Sequence, residues 1–260
     1  MTPADVIERL THAGVQRGDH VGVAIDPEVG LGLGLDAGPI GVEVGDPADL
    51  LGRLDAQFGP RWVWWDRTTA DVVARHSLRL DRCWDVLTVH RLLAGRWRTS
   101  VGLAWAWLHG LSPETLPKMG QLGLLDAPAD EGLDPEDPVR PDGHLRPEWT
   151  AGGWRSSPPR LAAWAALAAE AAAMQRALLR ERPFPDRAVS TAHAESVAEL
   201  LCAELTCGGL PIDEHEAGRI IAAAVGPRPT SSEDEEALKA RRDSLVTEHL
   251  DPPQNVNLRN

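Results

Sequence analysis

A chain of 260 residues suffices for one large domain or two small ones, and 43% apolar with 25% charged residues is the balance of a globular protein rather than a disordered or fibrous one. No run approaches the roughly 20 unbroken apolar residues of a membrane span, and the start MTPADVIERL lacks the basic-then-apolar order of a secretion signal, so a cytoplasmic protein without a membrane role is expected. The net charge of −13 argues against an autonomous duplex binder, whose affinity rests on neutralising phosphates.

The first sixty residues are rich in glycine and short apolar runs. HVGVAID (20–26), VGLGLGL (29–35) and IGVEV (40–44) read as three short strands divided by turn residues. A helix is expected next, capped by Asp46 and facing inward through Leu50, Leu51 and Leu54. RWVWW (61–65) reads as a fourth strand, buried and central.

From Thr68 the period becomes helical. TTADVVARHSL carries Val72 and Val73 on one side, and RCWDVLTVHRLLAG carries Trp84, Leu87 and Val89 inward before Gly95. VGLAWAWLHGL is a further helical run. Residues 126–160 are acidic and proline-rich without periodicity, which reads as a surface loop whose Trp149 and Trp154 pin its far end to the domain.

The last hundred residues are helical. A long helix from Pro158 has Leu161, Trp164, Leu167, Ala171, Met174 and Leu178 as its stripe. A second begins near Thr191 and ends at Gly208-Gly209. A third opens with Asp213 and Glu216 as a capping box, and a fourth with Ser232 and Glu235 in the same relation. Cys83, Cys202 and Cys207 are too few and too scattered for a disulfide framework or a zinc site. The nine histidines never fall at ligand spacing, and the glycines of VGLGLGL lack the spacing of a nucleotide loop.

Two stretches resemble family A DNA polymerases. AESVAELLCAELTCGGLPIDEHEAGRIIAA is similar to the segment that opens the polymerase domain there: a helix, a short Gly-Leu turn, Ile-Asp, and another helix. The matching residues are Glu199, Leu205, Gly209, Leu210, Ile212 and Asp213. Further on, NVNLRN places Asn257 and Leu258 where that family has a thumb-starting phrase, so a truncated frame or a fragment is expected.

The second stretch is similar to the family's 3'–5' proofreading domain, in which four carboxylates hold two divalent metal ions about 4 Å apart. VAIDPE sets Asp26 and Glu28 at the Asp-x-Glu spacing of the first motif, and WVWWD sets Asp66 in the aspartate position of the second. CWDVLTVHRLLAG resembles the phrase that follows, with Asp85 in its aspartate place. Trp62 and Trp65 replace the asparagine and tyrosine of the second motif. Pro27 and Val29 depart from the first. In the third motif, Leu161 and Ala165 occupy the tyrosine and aspartate positions, Glu170 lies more than a turn away, and the chain has no tyrosine.

The resemblance implies an α/β, ribonuclease-H-like mixed sheet with flanking helices, followed by an all-helical segment. It implies a degenerate exonuclease-like domain over 1–186, with 126–160 as its acidic loop, and the start of a polymerase domain over 187–260. The parent activity is magnesium- or manganese-dependent DNA synthesis in replication and repair, in a nucleoid-associated cytoplasmic enzyme. The polymerase carboxylates would lie beyond residue 260. The chain's own nuclease is expected to be inactive and to bind no metal, and DNA is reached through the missing polymerase domain.

Other readings stay open. Asp26-Pro27-Glu28 is also a good turn starter, because proline cannot continue a strand. Asp66 equally reads as the cap of the helix from Thr68. The chain could be an active metal-dependent exonuclease whose third motif lies elsewhere, with Asp26, Glu28 and Asp66 as ligands, or a free-standing interaction fragment without catalysis.

Overall fold

The computed structural model describes residues 2–95, 98–117, 136–226 and 229–248. These divide into two compact units, 1–209 and 210–260.

The glycine-rich start produces a meander: β1 (His20–Asp26), β2 (Gly30–Gly34) and β3 (Ile40–Val42) pair antiparallel in sequence. β4 (Arg61–Trp64) joins β1 in parallel, and β5 (Cys83–Asp85) joins β4 in parallel. The sheet order is β3-β2-β1-β4-β5, an α/β architecture with a mixed sheet, as the run of short strands before helices implies. β5 departs from the helical reading of its segment. It occupies only Cys83, Trp84 and Asp85, and turns into a helix at once.

The helices of the first unit are α1 (Pro3–His12), α2 (Pro47–Phe58), α3 (Arg67–Arg75), α4 (Val86–Ala94), α5 (Val101–Leu108), α6 (Pro147–Thr150), α7 (Pro158–Arg180) and α8 (Pro185–Gly208). α1 is an addition to the sequence reading. Thr2 and Asp5 close a reciprocal capping box on it, and Val6 and Leu10 are its buried contacts. α2 starts where Asp46 was expected to cap it, and ends on Gly59 in the left-handed region.

Strand alternation sends the two faces of the sheet to different partners. Val21, Val23, Ile25, Leu31, Leu33, Ile40 and Val42 form one core with α1, α2 and Leu200 of α8. The opposite face is glycine. A Cβ on Gly22 would stand 2.0 Å from the Ala165 carbonyl oxygen, and one on Gly32 would stand 2.2 Å from the Leu161 carbonyl carbon. The glycines of VGLGLGL thus let the α7 backbone lie directly on the sheet. α7 answers with alanine: Ala165, Ala168 and Ala172 are fully buried, together with Gln175 and Leu179. Leu161, Trp164 and Ala171 of the expected stripe are buried, but Leu167, Met174 and Leu178 are only partly so.

Trp149 and Trp154 do anchor their segment. Trp154 stacks on Trp164 at 6.0 Å and 8° between planes, and Trp149 lies 6.3 Å from the same ring. Residues 136–160 are therefore more ordered than a surface loop, with α6 and a short 3-10 turn at Gly153–Ser156. Residues 126–135 of that stretch lie outside the described residues.

α8 begins at Pro185, earlier than expected, and belongs with the sheet. Ser196, Leu200 and Ala203 are buried, and the break between units falls after Gly209 rather than at 186/187. In the second unit α9 (Glu214–Val225) starts where Asp213 accepts from the amides of His215 and Glu216. α10 (Ser232–Thr247) is capped by Ser231, which accepts from the Asp234 amide, one residue before the expected Ser232. Asn257 and Leu258 lie outside the described residues. Cys83 is buried and unbridged, as are the exposed Cys202 and Cys207 unbridged. Among the described residues no helix is long and apolar enough to cross a membrane.

Candidate functional site

Three parallel strands, β1, β4 and β5, run the same way, so their carboxyl ends share one edge of the sheet. That edge carries an aspartate at each strand: Asp26 ends β1, Asp66 follows β4 after Trp65, and Asp85 ends β5. In open α/β sheets such an edge is where ligands collect.

Local geometry assigns each carboxylate a structural partner. Asp26 Oδ1 accepts the Glu28 amide at 3.0 Å and the Asp26 carbonyl accepts the Val29 amide at 3.2 Å, so Asp-Pro-Glu is the tight turn between β1 and β2. Glu28 is exposed on that turn. Asp66 Oδ1 accepts the Thr68 amide at 2.9 Å as the cap of α3. The turn and cap readings thus account for all three residues.

Asp85 is the most constrained carboxyl of the edge, and its burial has no signature in the local sequence. Its side chain is enclosed between β4, α4 and α8. Oδ1 accepts the Thr88 amide at 2.8 Å, Oδ2 accepts Trp64 Nε1 at 3.1 Å, and the backbone amide donates to Ser196 Oγ at 3.1 Å. Burial pushes its pKa up to about 7, helped by repulsion from Asp66 and opposed by the Thr88 and Trp64 hydrogen bonds.

The position of the third motif lies on α7. Leu161 and Ala165 are fully buried against the glycine face, so the backbone of this stretch serves as a packing surface. Trp65 Nε1 donates to the Trp164 carbonyl at 3.1 Å, fixing the end of β4 to α7. A cleft of about 210 Å³ opens beside Asp66, lined by Thr68, Thr69, Trp154 and Trp164 among others.

A two-metal centre needs several oxygens converging on each ion. Among the described residues no group of three or more His, Cys, Asp or Glu is placed to hold a metal ion. With Asp26 turned to its own turn, Asp66 to its helix and Glu28 exposed, these donors do not fit a two-metal centre. No chemical step follows through such ions.

Comparison with models of known protein families, with curated proteins and with solved structures gives no match to this chain.

Proposed function

We propose that this chain is the amino-terminal part of a family A DNA polymerase, with a degenerate 3'–5' exonuclease-like domain that serves as scaffold for the domain performing synthesis. The observation that carries the reading is the Gly-Gly-Leu-Pro-Ile-Asp turn with a helix on either side. Its support in local structure is that α8 runs to Gly208, Gly209 adopts φ +68°, and Asp213 caps α9. The mixed sheet supports a ribonuclease-H-like reading of the first unit, with the meander on one side of β1 and parallel β4 on the other.

A scaffold role is also consistent with α8, which exposes Val197, Leu201 and Leu205 at four-residue spacing. An apolar row of that kind fits a neighbouring domain better than solvent. DNA is then met by the assembled polymerase, while this acidic segment alone binds it weakly. Magnesium or manganese belongs to the polymerase site of the parent enzyme, and replication or repair is its setting.

Incubation of the purified chain with a 3'-labelled single strand and Mg²⁺ or Mn²⁺ is expected to leave the strand intact. Shortening that Asp26→Ala abolishes would replace the scaffold reading with an active exonuclease. The polymerase half is tested by sequencing the DNA downstream of residue 260. A frame with polymerase carboxylates is expected there, and its absence would remove the parent enzyme from the account.

A further inference from the structure

The opposite, amino-terminal edge of the parallel strands holds a second feature. His20 opens β1 and Arg61 opens β4, while Arg176 and Arg180 lie on the last turns of α7. His193 comes from α8, and a cleft of about 450 Å³ is lined by His20, Arg176, Arg180, Ser190 and His193, with Asp186 at its wall. The two imidazoles flank Trp84 edge-on, at 5.3 Å and 5.5 Å between ring centroids. Cavities of this size hold small ligands.

The charge balance here is unusual for a protein of net charge −13. Among the described residues no carboxylate lies within ion-pair distance of Arg61, Arg176 or Arg180. The Arg61 guanidinium donates to the Cys83 carbonyl, at 3.2 Å. Asp19 and Asp36 act on Arg176 from further away. Arg176 Nη1 lies 2.9 Å from His20 Nδ1. An arginine can only donate, so that nitrogen is the acceptor and the His20 proton sits on Nε2. His20 Nε2, His193 Nε2 and Arg176 Nε are all buried without a hydrogen-bond partner among the described residues. Buried polar atoms left in this way call for a physical reason.

Metal binding is the wrong explanation, because cations are repelled by three guanidinium groups that no carboxylate neutralises at ion-pair distance among the described residues. Burial, then Arg176 and Arg61, pulls His20 down to about 3, and burial with the same two arginines pulls His193 down to about 4. Both rings are therefore neutral near pH 7, and His20 holds its one N–H on Nε2. The start of α8, whose Phe184 cap provides no side-chain acceptor, faces the same cleft with Pro185 and Asp186. A helix amino terminus adds partial positive charge there.

We infer that the cleft between the start of β1, the end of α7 and the start of α8 binds a small oxyanion of the phosphate class, free or as the end of a phosphomonoester. Arg176 and Arg180 supply the charge, and Ser190 supplies a hydroxyl. His20 and His193, whose Nε2 atoms are buried without a partner among the described residues, are both lining residues of this cleft. Arginine is suited to the role because its planar fork matches phosphate oxygens.

The test uses the full chain, with inorganic phosphate and a nucleoside 5'-monophosphate as separate ligands against chloride at equal ionic strength. Saturable shifts of the His20 and His193 ring resonances are expected, with a rise in Tm of about 4 °C at about ten times Kd. Arg176→Gln should weaken binding at least about tenfold, the loss of one charge-assisted contact. Arg180→Gln, at an exposed position, serves the same purpose should Arg176→Gln fail to fold. The ligand that binds more tightly identifies the source of the phosphate group. Unsaturable shifts with both ligands, or equal binding by the variants, would overturn the inference.

Discussion

A carboxyl enclosed as completely as that of Asp85 ionises only against the cost of leaving water, and two hydrogen bonds do not offset that cost. The folded state therefore holds the proton more tightly than the unfolded chain, whose aspartates titrate near 3.8. The contribution of this group to stability is complete below about pH 4 and is lost as pH rises through about 7. The difference corresponds to on the order of 4 kcal/mol. Unfolding free energy measured by denaturant titration should fall across pH 4 to 7 in the native protein. Asp85→Asn should flatten that slope, while costing about 2 kcal/mol at low pH because one amide orientation cannot accept from both Trp64 and Thr88. An unchanged slope in the variant would place the titration elsewhere. The role of Asp85 was only half legible: its aspartate position could be matched to a motif, but its burial depends on Ser196 and α8, over a hundred residues on. Asp26, Glu28 and Asp66 stood out in the sequence as carboxylates at motif spacing, yet the same spacing starts turns and caps helices. The basic cleft was not legible at all, since His20 and Arg176 lie 156 residues apart.

Elements meet most closely where α7 crosses β1 and β2. Gly22 has ordinary extended backbone, so its need for glycine is a matter of space, not of conformation. The atom a Cβ would strike is a backbone oxygen within a helix of 23 residues, which no rotamer change can move aside. Gly22→Ala should therefore cost about 3 kcal/mol and lower Tm by about 9 °C. Gly45→Ala, where nothing lies within 4 Å of the added carbon, is the matched control and should be nearly neutral. Equal melting of the two variants would mean that α7 can lift from the sheet without penalty. The first four strands were legible because apolar residues alternate between turn signals. β5 was not, because three residues carry too little periodicity and the following helix dominates the pattern. The inward face of α7 differs from its apolar stripe for a related reason. Alanine contributes little to a hydrophobic stripe, yet it is the residue that lets a helix approach a glycine face.

At the scale of the whole molecule, the two units differ in what holds them. The first has two cores on either side of a five-stranded sheet. In the second, no described residue of α9 or α10 is buried, and Ile212, Ile220 and Ile221 are exposed. Helices of 12 and 16 residues are marginal in water without tertiary packing, and α10 is charged on nearly every side. The local ion pairs Glu216–Arg219 and Glu235–Lys239 add only a few tenths of a kcal/mol each. Amide exchange followed by mass spectrometry on the full chain should therefore show protection near the global value in β1 and α7, and little protection across 214–247. Adding the polymerase domain proposed to follow should raise protection in α9 specifically, because the exposed isoleucines would then be covered. Strong protection of α9 in the isolated chain would contradict this account, since it would require packing that the exposed side chains do not provide.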